Sequence, residues 1–174
     1  MEAVKTGWIS SNFEWESVFN TPLECGLRSV VILAEAFPRQ YDLQRLVQYD
    51  YLLVHSSDVP DGPTSLHPAT PHRAGEMLVR RPIIEQGIKL MMSKELIECE
   101  FNSKGIRYFA GEWAIAFLGK LESDYILQLR SRAKWVVSEF EDYSDEKLNL
   151  FMRDNWDNWG AEFEFEALMR LDSK

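Results

Sequence analysis

The sequence predicts a mainly α-helical chain with a small β-hairpin: a winged helix-turn-helix-like core, a C-terminal helical segment and a short terminal strand. Three observations predict it. Apolar residues recur at helical spacing in several segments bounded by capping residues and prolines. Two roughly alternating segments flank the polar turn Asn102-Ser103-Lys104-Gly105. The order helix, short helix, helix, hairpin is that of a winged helix-turn-helix. The expected organisation is an N-terminal arm over 1–19, the core over 20–111, and C-terminal helices and tail over 112–174 packed on the same core.

The arm has Trp8, Phe13, Trp15 and Phe19 among polar residues without clear periodicity. It reads either as a flexible terminus or as a strap whose aromatics dock on this domain or a partner. The first helix is signalled at 22–37. Thr21 fits the N-cap, Pro22 the first helical position and Glu24 the third, the capping-box arrangement. Leu23, Leu27, Val30, Val31 and Ala34 form its apolar stripe, and Pro38 stops it.

A second helix starts at the N-cap Asp42, carries Leu43, Leu46, Val47, Tyr51 and Val54, and ends near His55. Asp50, between Tyr49 and Tyr51, reads as a boundary carboxylate hydrogen-bonded to a tyrosine. Residues 56–71 hold four of the chain's seven prolines and read as a long loop, a kind of segment that is usually functional or mobile. A helix is expected over 73–80. Pro82 does not sit comfortably in a helix interior and is expected to open a separate helix over 82–94, with Ile83, Ile84, Ile88, Met91 and Met92 packed inward.

The hairpin pairs Leu96–Phe101 with Ile106–Phe109, and Gly105 is free to take positive φ in the turn. Residues 112–121 read as helical, with Trp113, Phe117, Leu118 and Leu121 apolar. Ser123 or Asp124 caps a helix that buries Tyr125, Ile126, Leu129, Ala133, Val136 and Phe140. Ser144 caps the last helix, with Leu148, Phe151, Met152, Trp156 and Trp159 in its stripe and Gly160 at its end. The tail alternates Phe163 and Phe165 with Glu162, Glu164 and Glu166, a strand pattern that must pair with something.

With 174 residues, 45% hydrophobic, the chain has the size of one domain with its own core. The net charge of −9 argues against whole-molecule attraction to nucleic acid or anionic membranes. No apolar run approaches the length of a membrane span. Cys25 and Cys99 make neither a disulfide framework nor a Cys-x-x-Cys pair, and the N-terminus lacks a signal-peptide pattern. A cytoplasmic protein is expected.

No constellation for catalysis, cofactor or metal is legible. His67 and His72 lie five residues apart across two prolines, which matches no common zinc spacing. No phosphate loop, nucleophile elbow or dinucleotide fingerprint occurs. Cys25 sits in a core-forming segment and is expected to be a buried structural thiol. A small enzyme would need Asp50, His55, His67 and His72 to converge in space.

Charge by segment narrows the nucleic-acid reading. Residues 1–60 are net −4, residues 61–110 net +1 and residues 111–174 net −6. Lys89, Lys94, Lys104 and Arg107 are the candidates for weak contact with a DNA backbone. Glu76, Glu85 and Glu95 are interleaved with the basic residues, against independent sequence-specific binding. A winged-helix transcriptional regulator is the rival reading to a binding module.

Four blocks then carry a family resemblance. Phe19-Asn20-Thr21-Pro22-Leu23-Glu24-Cys25-Gly26-Leu27-Arg28 resembles the opening of the middle component of bacterial ABC-three-component systems. Tyr49-Asp50-Tyr51-Leu52-Leu53-Val54-His55-Ser56, Leu66-His67-Pro68-Ala69-Thr70-Pro71-His72-Arg73 and Trp159-Gly160-Ala161-Glu162-Phe163-Glu164-Phe165-Glu166 follow in order. The resemblance covers about residues 18 to 168. It implies a non-enzymatic subunit acting beside a coiled-coil ABC ATPase and an effector, often a nuclease, as in Lamassu-type anti-phage systems, with DNA reached through the complex. The expected partner contacts are Trp159, Phe163 and Phe165 in the tail, His67, His72 and Arg73 in the loop, and Arg80 and Arg81.

Overall fold

In a computed structural model, residues 20–68, 73–103 and 105–156 are described. Helix α1 spans Pro22–Ala36 and starts where the capping box predicts. The Glu24 amide donates to Thr21 Oγ1 at 3.3 Å, and the Thr21 amide donates back to Glu24 Oε2 at 3.1 Å. Helix α2 spans Leu43–Val54 and is capped by Asp42, which accepts from the Arg45 amide at 2.8 Å. Both helices are buried on nearly every side: Arg28 to Leu33 in α1 and every residue from Arg45 to Val54 in α2. They form the centre of the core. The first position of the expected α1 stripe, Leu23, is instead 61% exposed.

A 3-10 turn, Ser56–Asp58, opens the proline-rich loop. The Leu66 and His67 amides both donate to the Val54 carbonyl, at 2.9 and 3.0 Å, so the loop satisfies the open C-terminal end of α2.

The largest correction concerns Pro82. Helix α3 runs without a break from Arg73 to Met92 with Pro82 inside it. The expected pair of helices, 73–80 and 82–94, is one element, and the helix-turn-helix placed there is not formed. A proline in a helix interior costs about 3 kcal/mol. Burial on both sides of it, at Met77 and Arg80 before and at Ile84 and Ile88 after, offsets that cost. A close crossing with α1 fastens the second half. A Cβ at Gly87 would lie 2.5 Å from the Pro22 carbonyl oxygen, and a Cβ at Gly26 would lie 2.7 Å from the Gly87 carbonyl oxygen. Only two glycines let these backbones approach so closely.

Strands β1 (Ile97–Asn102) and β2 (Gly105–Ala110) form the hairpin, antiparallel, in register from Ile97↔Ala110 to Asn102↔Gly105. Gly105 has φ +107°, as the turn requires. Tyr41 extends the far edge of β2 by exchanging backbone hydrogen bonds with Tyr108, at 2.9 and 2.7 Å.

Helix α4 is only Ala114–Leu118, shorter than the expected 112–121. Helix α5, Asp124–Glu139, is capped by Ser123 and buries Ile126, Leu129, Ala133 and Val136 as predicted, but Tyr125 is 42% exposed. Helix α6, Asp145–Trp156, buries Leu148 and Met152. The Phe140 ring, against Tyr49, Trp135, Tyr143 and Phe151, fills the space between α2, α5 and α6. Arg45 adds a polar clamp: it donates to Asp145 Oδ1 at 2.9 Å and to the Tyr143 carbonyl at 2.5 Å. Trp159, Gly160 and the Phe163–Phe165 alternation lie outside the described residues, as do the arm 1–19, Lys104 and His72.

Candidate functional site: an arginine–aspartate cluster beside two histidines

The central helices enclose charge. Asp50 is fully buried and lies between two guanidiniums. Arg28 of α1 donates from Nε to Asp50 Oδ1 at 2.5 Å and from Nη2 to Oδ2 at 3.1 Å. Arg80 of α3 donates from Nη1 to Oδ2 at 2.7 Å. Both arginines are about 1% exposed. Asp50 is therefore no boundary carboxylate. The tyrosine beside it, Tyr51, donates its hydroxyl to Asp58 Oδ2 at 2.6 Å instead.

Burial alone would raise the Asp50 pKa, but Arg28 and Arg80 override it and hold the carboxyl below its ordinary value. Arg28 Nη2 also donates to Asn20 Oδ1 and to Cys25 Sγ, each at 3.1 Å. Burial pushes the Cys25 thiol up to about 12, so it stays protonated at neutral pH. That fits the structural thiol expected from the sequence.

The cluster continues as rings. The Arg80 guanidinium lies 5.9 Å from the Tyr51 ring centre, and the His55 ring lies 4.9 Å from it. His67, from the loop, meets His55 edge-on at 6.2 Å. The His67 Nε2 and the Tyr125 hydroxyl of α5 share a hydrogen bond at 3.2 Å. Burial first, and then the positive charges of Arg28 and Arg80, push the His67 pKa down to about 4. His67 is accordingly neutral at pH 7.

Asp50, His55 and His67 do converge, as the enzyme reading required; His72 lies outside the described residues. Asp50 is placed as a clamp between helices. Both Asp50 oxygens accept from guanidiniums, which disfavours taking up a proton. Cys25 is a thiol and not a thiolate. Among the described residues, no group of three His, Cys, Asp or Glu side chains could hold a metal ion.

The other expected contacts separate. Arg80 is interior and cannot present its guanidinium to a partner, which corrects that expectation. Arg81 is exposed and donates to Gln44 Oε1 at 2.6 Å. Arg73 is the first residue of α3. Of the candidate DNA contacts, Arg107 is only partly exposed and faces Asp42 and Asp145 at 3.8 and 3.4 Å, so its charge is used within the fold. Lys89 pairs with Glu85 at 2.7 Å on the surface, and Lys94 is exposed.

A family model for Middle Component 2 of the ABC-three component (ABC-3C) systems matches residues 18–162. The chain belongs to this family. Membership implies partner subunits, because a middle component is one part of a multi-component system. No curated protein and no solved structure matches the chain. In this middle component the matched segment contains every residue of the cluster, from Asn20 to Tyr125. No helix among its described residues is long and apolar enough to cross a membrane.

Sequence reasoning named Asp50, His55 and His67 but missed Arg28, and it sent Arg80 outward. One signal was available. A charged residue at a position that the stripe places inside, as Arg28 is between Leu27 and Val30, needs a buried partner of opposite charge.

Proposed function

We propose that this chain is the non-catalytic adaptor subunit of an anti-phage defence complex of the Lamassu type. It binds a coiled-coil ABC ATPase, its effector nuclease, or both, and couples DNA sensing to release of the effector. The family match over residues 18–162 carries this reading.

Two features support it. The groups whose types suit acid–base or nucleophilic chemistry, Asp50, His67 and Cys25, are held in protonation states that suit a structural clamp. The basic residues Arg80 and Arg107 are engaged with the domain's own carboxylates, which favours DNA being reached through the complex.

The test is co-expression with the neighbouring open reading frames and purification through a tag on this chain. An ATPase and an effector recovered in fixed ratio are expected. A chain that purifies alone overturns the reading. Tight, salt-dependent binding of its own upstream DNA by the isolated chain would make it a transcriptional regulator instead.

A further inference from the structure

Among the described residues, a group of exposed apolar side chains lies on the short helix α4 and its N-cap. In α4, Ala114 and Leu118 are fully buried, one helical turn apart, and they pin the segment to the core. The Phe117 amide donates to the Trp113 carbonyl at 2.9 Å and closes the turn. Trp113, just before the first anchor, and residues 115–117 between the two face outward. Trp113 is 54% exposed, Ile115 63% and Phe117 37%, with Ala116 beside them. Three large apolar side chains within five residues thus reach solvent, and exposed apolar groups that cluster mark interaction sites.

The surroundings of this knob are acidic. The Gly111 amide donates to the Leu96 carbonyl at 3.0 Å, and a Cβ on Gly111 would lie 2.3 Å from the Glu95 carbonyl oxygen. That contact brings Glu95 beside Glu112 at the start of the knob. Glu98 follows on β1, and Glu122 and Asp124 follow α4. All five carboxylates are exposed, and among the described residues none makes a salt bridge. Glu95 moreover has φ +58°, in the left-handed turn that ends α3, where glycine is the favoured residue. A carboxylate stands there in spite of the backbone cost.

We infer that the Trp113–Phe117 knob is the docking surface for a partner subunit, one that presents an apolar pocket bordered by Lys and Arg. The knob would fill that pocket, and the acidic rim would steer and orient its basic border. The inference rests on the subunit reading and names the surface that reading leaves open.

The test uses the full chain co-expressed with its neighbouring-frame subunits. Trp113→Ser combined with Ile115→Ser removes the knob but keeps the buried anchors Ala114 and Leu118. Glu95→Lys combined with Glu112→Lys reverses the rim. Each double variant is expected to fold, judged by an unchanged circular dichroism spectrum and melting profile, and to lower partner recovery at least about tenfold. Leu150→Ser, an exposed apolar change on α6, is expected to leave recovery unchanged. Wild-type recovery is expected to fall as salt rises. If the wild type captures partners and the folded variants capture them equally, or if Leu150→Ser costs as much, this inference fails while the subunit reading stands. If the wild type purifies alone, the subunit reading fails and takes this one with it. If the wild type is a dimer that W113S/I115S converts to a monomer, the occupant is a second copy and the partner assignment is overturned. Where a double variant misfolds, Trp113→Ala alone, read by the same capture, decides.

Discussion

Arg80 donates to Asp50 at 2.7 Å in an interior that excludes water from both side chains, joining the N-terminal half of α3 to the centre of α2. Arg28 meets the same carboxylate from α1. One negative charge thus ties three helices. Asp50→Asn keeps the shape and removes the charge, leaving two buried guanidiniums without it. The expected loss is about 3–5 kcal/mol, read from urea unfolding. A loss below about 1 kcal/mol would show that the ion pairs add little to the fold. The pH dependence follows in sign. The folded carboxyl has a lowered pKa, so its contribution is present above the unfolded value of 3.8 and is lost as pH falls through the folded value.

His67 titrates the other way round from a paired histidine. Its folded pKa of about 4 lies below the ordinary 6.5 because burial and the charges of Arg28 and Arg80 oppose a proton on the ring. The unfolded chain therefore takes up the proton first. Stability from this group is complete above pH 6.5 and declines between 6.5 and 4. The groups facing the ring are His55, Tyr125, Arg28, Arg80 and Asp50. Because the ring is partly exposed, solvent screening leaves about 1 kcal/mol of effect. His67→Gln, compared with the parent in denaturant titrations at pH 7 and pH 5, is expected to remove that part of the slope. Parallel slopes would contradict the shift.

The crossing of α1 and α3 tolerates no methyl group. Gly87→Ala would place its Cβ among backbone atoms of Pro22 and Gly26 that have no rotamer through which to yield. Overpacking of this kind costs about 1–3 kcal/mol. A thermal melt is expected to drop by several degrees. An unchanged midpoint would mean that the helices separate at little cost.

Pro82 discriminates between one helix and two. In the continuous α3, Pro82→Ala restores an amide to the helical ladder and is expected to stabilise the protein by about 1–3 kcal/mol. In a helix-turn-helix the same change would leave stability level or lower it, since the proline would be starting a helix. Chemical denaturation of the single variant decides.

Much of the local structure is legible in the sequence, because caps and turns are local. Thr21 with Glu24, Asp42, Ser123 and Ser144 start their helices where their side chains bond the amide three residues on. The hairpin strands match within one residue. The fate of Pro82 was not legible, because its helical cost is local while the burial that offsets it comes from helices far away in sequence. The inward charges were only half legible. A sequence shows that Arg28, Asp50 and Arg80 are charged, but not that residues 22 and 30 positions apart meet.

By itself, then, the sequence determined a helical chain with one hairpin, its helix starts, its acidic balance and the blocks of a family resemblance. These depend on short-range hydrogen bonding, apolar period and composition. Only the tertiary structure decided that α3 is continuous, that Arg80 points inward to Asp50, and that Trp113, Ile115 and Phe117 face solvent while Ala114 and Leu118 hold them in place. The reason is physical. Direction and burial are properties of which surfaces meet, and close packing is settled only once all the helices are present.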